Sequence, residues 1–166
     1  MKNIKRDYSV TDILLVEDNP GDSRLIEEAF RYSDRFIRLH VVQDGMEAMS
    51  FLRHEGNYRN SPRPNFILLD LNLPKMNGYE VLAQIKGDDN LKSIPTVILS
   101  CSRAEADIGK SYQLQANSYL SKPQEIEQFD WFTKKLCDYW LKEVKLPSPQ
   151  DVLETTCPAS APVRQI

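Results

Sequence analysis

Five short apolar runs alternate along the chain with five longer segments of helical spacing, and this alternation limits the architecture more than any single residue does. The apolar runs are residues 12–17 (DILLVE), 37–42 (IRLHVV), 65–70 (NFILLD), 95–100 (PTVILS) and 117–120 (NSYL). Three of them are almost continuously apolar, as strands covered on both faces must be. The helical segments are 20–32, 45–54, 77–87, 104–115 and 124–145. In the first of these, Leu25, Ile26, Ala29 and Phe30 share one face, Asn19 is placed to cap and Pro20 fills the first helical position. Strands that alternate with helices predict an α/β fold: a doubly wound, five-stranded parallel sheet of (βα)5 type, with right-handed crossovers. In such sheets the ligand site lies just beyond the carboxyl ends of the strands.

That rule selects a small set of residues. Glu17 and Asp18 end the first strand, Asp70 the third and Ser100 the fourth, while Lys122 and Pro123 follow the fifth. Each alone is uninformative, because strands often end in polar residues as the chain re-enters water. Together they place three carboxylates, a hydroxyl and an ammonium on one edge. Carboxylates gathered from different strands repel unless a cation neutralises them, and Mg²⁺ prefers oxygen ligands. Asp18, Asp70 and the backbone carbonyl of Asn72 are the expected direct ligands, with Glu17 acting through water. Asp70 is the expected nucleophile toward a phosphoryl donor, and Ser100 and Lys122 are the donors expected to hold the transferred group. Pro74 and Gly78 shape the loop that follows Asp70.

Hydrophobic residues make up 41% and charged residues 27% of the 166-residue chain, which fits one ordered domain. No apolar run approaches the roughly 20 residues of a membrane span, and residues 1–10 lack the apolar centre of a secretion signal. A cytoplasmic protein is expected. The net charge of −3 argues against a nucleic-acid backbone as the main partner. Cys101, Cys137 and Cys157 form no metal-binding pattern and are expected to be reduced thiols, and His40 and His54 are expected to be structural or exposed.

Four segments carry a family resemblance: LLVEDNP at 14–20, ILLDLNLPKMNG at 67–78, VILSCS at 97–102 and SYLSKP at 118–123. In order and spacing they resemble the receiver domains of bacterial two-component response regulators, over about residues 11–145. The resemblance implies a flavodoxin-like receiver fold in which Asp70 accepts phosphate from a kinase histidine, the acidic pair binds Mg²⁺, and Ser100 and Lys122 bind the phosphoryl group. It also implies a switch, in which the Ser100 hydroxyl moves toward the phosphoryl group and Tyr119 turns inward behind it. A cis bond between Lys122 and Pro123 is a further expectation from the family. The segment NYRNSPRPNFILLDLNLPKMNGYEVLAQIK at 57–86 is similar to the small regulators that partner cyanobacterial phytochrome kinases. That likeness implies a light-sensing histidine kinase as donor, an unidentified downstream protein as target, and a homodimer.

Along the last helical segment, Phe129, Phe132, Leu136, Tyr139, Trp140 and Val144 fall in one arc and are the expected core face, while Trp131 and Leu141 lie off it. The two outliers fit an additional contact, with a second copy or with the tail folding back, or isolated surface residues. Residues 1–10 read as an N-terminal arm and residues 146–166 as a proline-rich tail or assembly arm. A phosphohydrolase using an aspartyl phosphate would carry an acid two residues after its nucleophile, where this chain has Asn72. A dinucleotide enzyme needs a glycine-rich turn that EDNPGD does not supply. A receiver-like interaction module that is never phosphorylated is the remaining alternative. The main expectation is a phosphoacceptor signalling protein, not a turnover enzyme.

Overall fold

The computed structural model describes residues 10–33 and 36–147. Five parallel strands form one sheet in the order β2-β1-β3-β4-β5. They are β1 (Thr11–Val16), β2 (Ile37–Val42), β3 (Phe66–Asp70), β4 (Thr96–Ser100) and β5 (Ser118–Ser121). The helices are α1 (Pro20–Arg31), α2 (Gly45–Leu52), α3 (Gly78–Gly87), α4 (Glu105–Gln113) and α5 (Phe129–Cys137), the last continuing into a π-helical segment (Asp138–Glu143). The doubly wound parallel sheet expected from the alternation is therefore present, with most boundaries shifted by one or two residues.

Successive side chains of a strand point to opposite faces, so the three central strands feed two separate cores. Leu14, Val16, Ile67, Leu69 and Ile98 pack under α2 and α3. Ile13, Leu15, Phe66, Leu68, Val97 and Leu99 pack under α1 and α5. Every one of these side chains is fully buried, which explains why β1, β3 and β4 read as continuous apolar runs.

Helix starts are set by local chemistry. The Asn19 side chain accepts from the Gly21 and Asp22 amides, with Pro20 opening α1. Asn77 and Glu80 form a reciprocal capping box at α3, and Asp44 caps α2 by accepting from the Glu47 amide. Two glycines permit close approach of backbone. A Cβ at Gly78 would lie 2.2 Å from the Asp70 carbonyl oxygen, and one at Gly45 would lie 2.1 Å from the Met76 carbonyl oxygen. The loop after Asp70 is thus held against both its own strand and the start of α2.

Three expectations are corrected. The last helix starts at Phe129 rather than at residue 124, because residues 124–128 offer Ile126 alone as an apolar side chain and leave it exposed around a short 3-10 turn. Its C-terminal part is π-helical, with the Val144 amide donating to the carbonyl of Tyr139 five residues back. The wider turn rotates Leu141 inward, where it is buried, and Tyr139 outward to 58% exposure, so the expected places of these two residues are exchanged. No cis peptide bond occurs among the described residues, so Lys122–Pro123 is trans, the form that X-Pro bonds generally favour.

Candidate functional site

The carboxyl ends of β1, β3 and β4 and the residue following β5 converge as the winding requires. Glu17 and Asp70 are buried and Asp18 is exposed. Each offers a carboxylate oxygen, and the three oxygens lie within 4.8 Å of one another. Lys122, 2% exposed, reaches across the sheet into this cluster. Its Nζ donates to Asp70 Oδ2 at 2.6 Å, to Asp22 Oδ2 at 3.0 Å and to Glu17 Oε2. The ammonium's three hydrogens are therefore matched by three carboxylates. Burial pushes the Glu17 carboxyl up to about 7 against the pull of Lys122, and the charge of Asp70 adds to the rise. Burial would pull Lys122 down, but Asp70 and Glu17 outweigh it and the ammonium titrates above its ordinary value.

The Asn72 amide donates to Asp70 Oδ1 at 3.0 Å, which fixes the carboxylate from the side opposite Lys122, and the Asn19 amide donates to Glu17 Oε1 at 3.1 Å. Pro74 and Gly78 lie in the turn beyond, where the Gly78 amide returns to the Leu71 carbonyl at 2.9 Å and the Met76 amide to the Pro74 carbonyl at 2.8 Å. Lys75, at φ 64°, sits between them and pairs with Asp44 at 2.5 Å, tying this turn to α2. Ser100 is fully buried and its hydroxyl accepts from the Ser102 amide at 3.2 Å. Tyr119 packs against the core under α2 and α3, and its hydroxyl donates to the Ser102 carbonyl at 3.0 Å. Pro123 follows Lys122 and is half-buried.

Asp22 is the site residue that strand-end reasoning missed. It lies in the first turn of α1, past the end of β1, and only the reach of Lys122 across the sheet brings it into the site. His40 is half-buried beside Asp12 at 2.8 Å, and His54 is exposed beside Ser61 at 3.0 Å. Among the described residues no helix is long and apolar enough to cross a membrane. Cys101 and Cys137 are free thiols, whereas Cys157 lies outside the described residues.

A family profile described as "Response regulator receiver domain" matches residues 13–131. The chain belongs to this receiver family. It is 47% identical over 136 residues to "Response regulator Rcp1" of Synechocystis, covering 82% of this receiver and 92% of that protein. The crystal structure of the Mn²⁺-bound form of Rcp1 superposes with TM-score 0.81 at 46% identity, over 83% of this receiver and 99% of that chain. The phosphorylated cyanobacterial phytochrome response regulator RcpA superposes with TM-score 0.82 at 49% identity, over 84% and 100% of the respective chains. As a receiver, this protein is a signalling module rather than a turnover enzyme, and its acidic cluster fits a divalent metal ion: three carboxylate oxygens gathered on one edge are the donor set that hard cations take.

Proposed function

We propose that this receiver accepts a phosphoryl group on Asp70 from a phytochrome-type histidine kinase, with Mg²⁺ as the metal, and signals by contact with another protein. The observation that carries the proposal is the buried bond between Lys122 and Asp70 inside the acidic cluster. The likeness to RcpA, a phosphorylated protein of the same fold, adds support for phosphorylation. Glu17, Asp18, Asp70 and the Asn72 carbonyl would hold the metal, Glu17 through water. Bound there, the ion would offset the negative charge that builds on the transferring oxygens.

Asp70 supplies the nucleophilic oxygen. An O–P bond forms at its carboxylate as the N–P bond to the kinase histidine breaks. Lys122 gives up a carboxylate partner for a phosphoryl oxygen, and Asp22, the most exposed of its three partners, is the one released at least cost. The Ser100 hydroxyl donates to a second phosphoryl oxygen, and Ser100 with Tyr119 relays the change to the face made by α4, β5 and α5. Pro74, Gly78 and Pro123 hold the surrounding loops. The output partners are a downstream protein and a second copy of the chain, for which the exposed Trp131, 63% accessible beside β5, is the anchor. The site of action is the cytoplasm. Residues 11–145 form the receiver, while the arm at 1–10 and the tail at 146–166 fall largely outside the described residues.

The deciding experiment is labelling with kinase phosphate or a small acyl phosphate in the presence of Mg²⁺. One acid-stable, base-labile label is expected, and Asp70→Asn is expected to abolish it. Labelling that persists in the variant would overturn the assignment, and a wild-type protein that never labels would be an interaction module instead. Light-dependent transfer from a phytochrome kinase tests the donor separately.

A further inference from the structure

The loop between Ser100 and α4 contains a hydrogen-bonded cluster that the acidic site does not use. Ser102 is its hub. The Ser102 amide donates to the Ser100 hydroxyl at 3.2 Å, its carbonyl accepts from the Tyr119 hydroxyl at 3.0 Å, and its hydroxyl donates to Asp107 Oδ2 at 2.5 Å. The other oxygen of Asp107 accepts from the Tyr79 hydroxyl at 2.7 Å. Lys110 lies 4.0 Å from the centre of the Tyr79 ring. One carboxylate in the first turn of α4 therefore ties together α3, α4 and the loop that leaves Ser100.

The chemistry of a hydroxyl makes this arrangement consequential. A serine oxygen has one hydrogen to give and two lone pairs that accept. By accepting from the Ser102 amide, the fully buried Ser100 hydroxyl satisfies its oxygen while its own hydrogen stays available. Ser102 lies outside any helix or strand and is held by the Tyr119, Ser121 and Asp107 side chains and by the Ala104 amide, which donates to its hydroxyl at 3.2 Å. The shortest of these is the charge-assisted bond to Asp107. We propose that Asp107 is a positioning residue for phosphoryl transfer: it holds Ser102 so that the Ser102 amide keeps the Ser100 hydroxyl poised to donate to a phosphoryl oxygen, with the Tyr79 hydroxyl fixing Asp107. This rests on the reading of Asp70 as phosphoacceptor, and it adds three residues, Ser102, Asp107 and Tyr79, that the strand-end set does not contain. An acid that merely favoured the start of α4 would change stability and leave transfer alone.

The test uses the full chain with Mg²⁺ and acetyl phosphate, following the rate constant for labelling of Asp70, with Mn²⁺ affinity measured in parallel. Asp107→Ala is expected to slow labelling by about tenfold at saturating donor, with Mn²⁺ affinity unchanged within about twofold. Asp107→Asn, which keeps an acceptor oxygen, is expected to recover to within about threefold of wild type. Tyr79→Phe is expected to slow labelling about threefold, and it covers the case in which Asp107→Ala fails to fold. The decisive comparison is made in a Ser100→Ala background, where both effects are expected to fall below about twofold because the hydroxyl they position is gone. Undiminished losses in that background, or no loss on the wild-type background, would overturn the proposal. A wild-type protein that takes no label would instead remove the Asp70 reading on which the proposal stands.

Discussion

Lys122 carries a positive charge at 2% exposure among Glu17, Asp22 and Asp70, so its removal leaves carboxylates facing one another away from water. Lys122→Met is expected to cost about 3 kcal/mol in urea unfolding at about pH 8, since breaking a buried ion pair from one side strands the other. The loss is expected to shrink at about pH 6, where Glu17, already lifted to about 7 by burial, takes up a proton. Added Mg²⁺ is expected to restore part of it by supplying positive charge to the same oxygens. A variant equally destabilised at both pH values, with or without the ion, would show that packing rather than charge sets the effect. Glu17, Asp70 and Lys122 were legible in the sequence because each stands at or just beyond the carboxyl end of a strand, where the winding rule directs attention. Asp22 was not, because its place on α1 says nothing of what lies across from it until Lys122 is folded over the sheet.

Elements show where periodicity succeeds and where it slips. In α1 the residues Ile26 and Phe30 are buried as the i, i+4 pattern requires, with Leu25 partly buried beside them. In the last helix the assumption of 3.6 residues per turn fails at the π segment, where the Tyr139 carbonyl accepts from Val144. Sequence spacing cannot reveal such a widening, because the apolar residues there are dense enough to suit either phase. Leu141→Ala is therefore expected to destabilise by about 2–5 kcal/mol, the range for deleting a buried leucine. Tyr139→Ala is expected to stay within about 1 kcal/mol, apart from its edge contact with Trp140. Paired denaturation curves check the phase directly, and a larger loss at 139 than at 141 would return both residues to the places that regular helical spacing gives them.

Over the described residues, the sheet separates the two cores, and hydrogen bonds from α3 to the segments leading into β4 and β5 close the layers at its other edge. The Lys86 ammonium, at the end of α3, donates to the carbonyls of Lys92 and Ile94 and to the side chain of Asn117, which in turn accepts from the Thr96 amide. None of these acceptors is charged, and burial pulls Lys86 down to about 8 from 10.5. The unfolded chain keeps this proton up to its ordinary value while the folded chain releases it near 8, so the contribution of Lys86 to stability rises across that window. The stability of wild type relative to Lys86→Met is expected to increase as pH rises from about 8 to 10.5, as followed by urea midpoints. A flat difference would remove the assignment.

The contact beneath Gly78 also bears on which sequences this fold can reach. A methyl group there would lie 2.2 Å from the carbonyl oxygen of Asp70, whereas one at Gly109 on α4 would meet nothing within 4 Å. Under selection for stability alone, position 109 is open to alanine, which is worth about 0.5–1 kcal/mol in a helix interior. Position 78 is closed to every side chain, although glycine there has no atom to offer the chemistry. The acceptor's backbone thus imposes its own constraint on a neighbouring turn, and mutational drift around Asp70 is channelled by where a methyl group fits as much as by what a phosphoryl group needs.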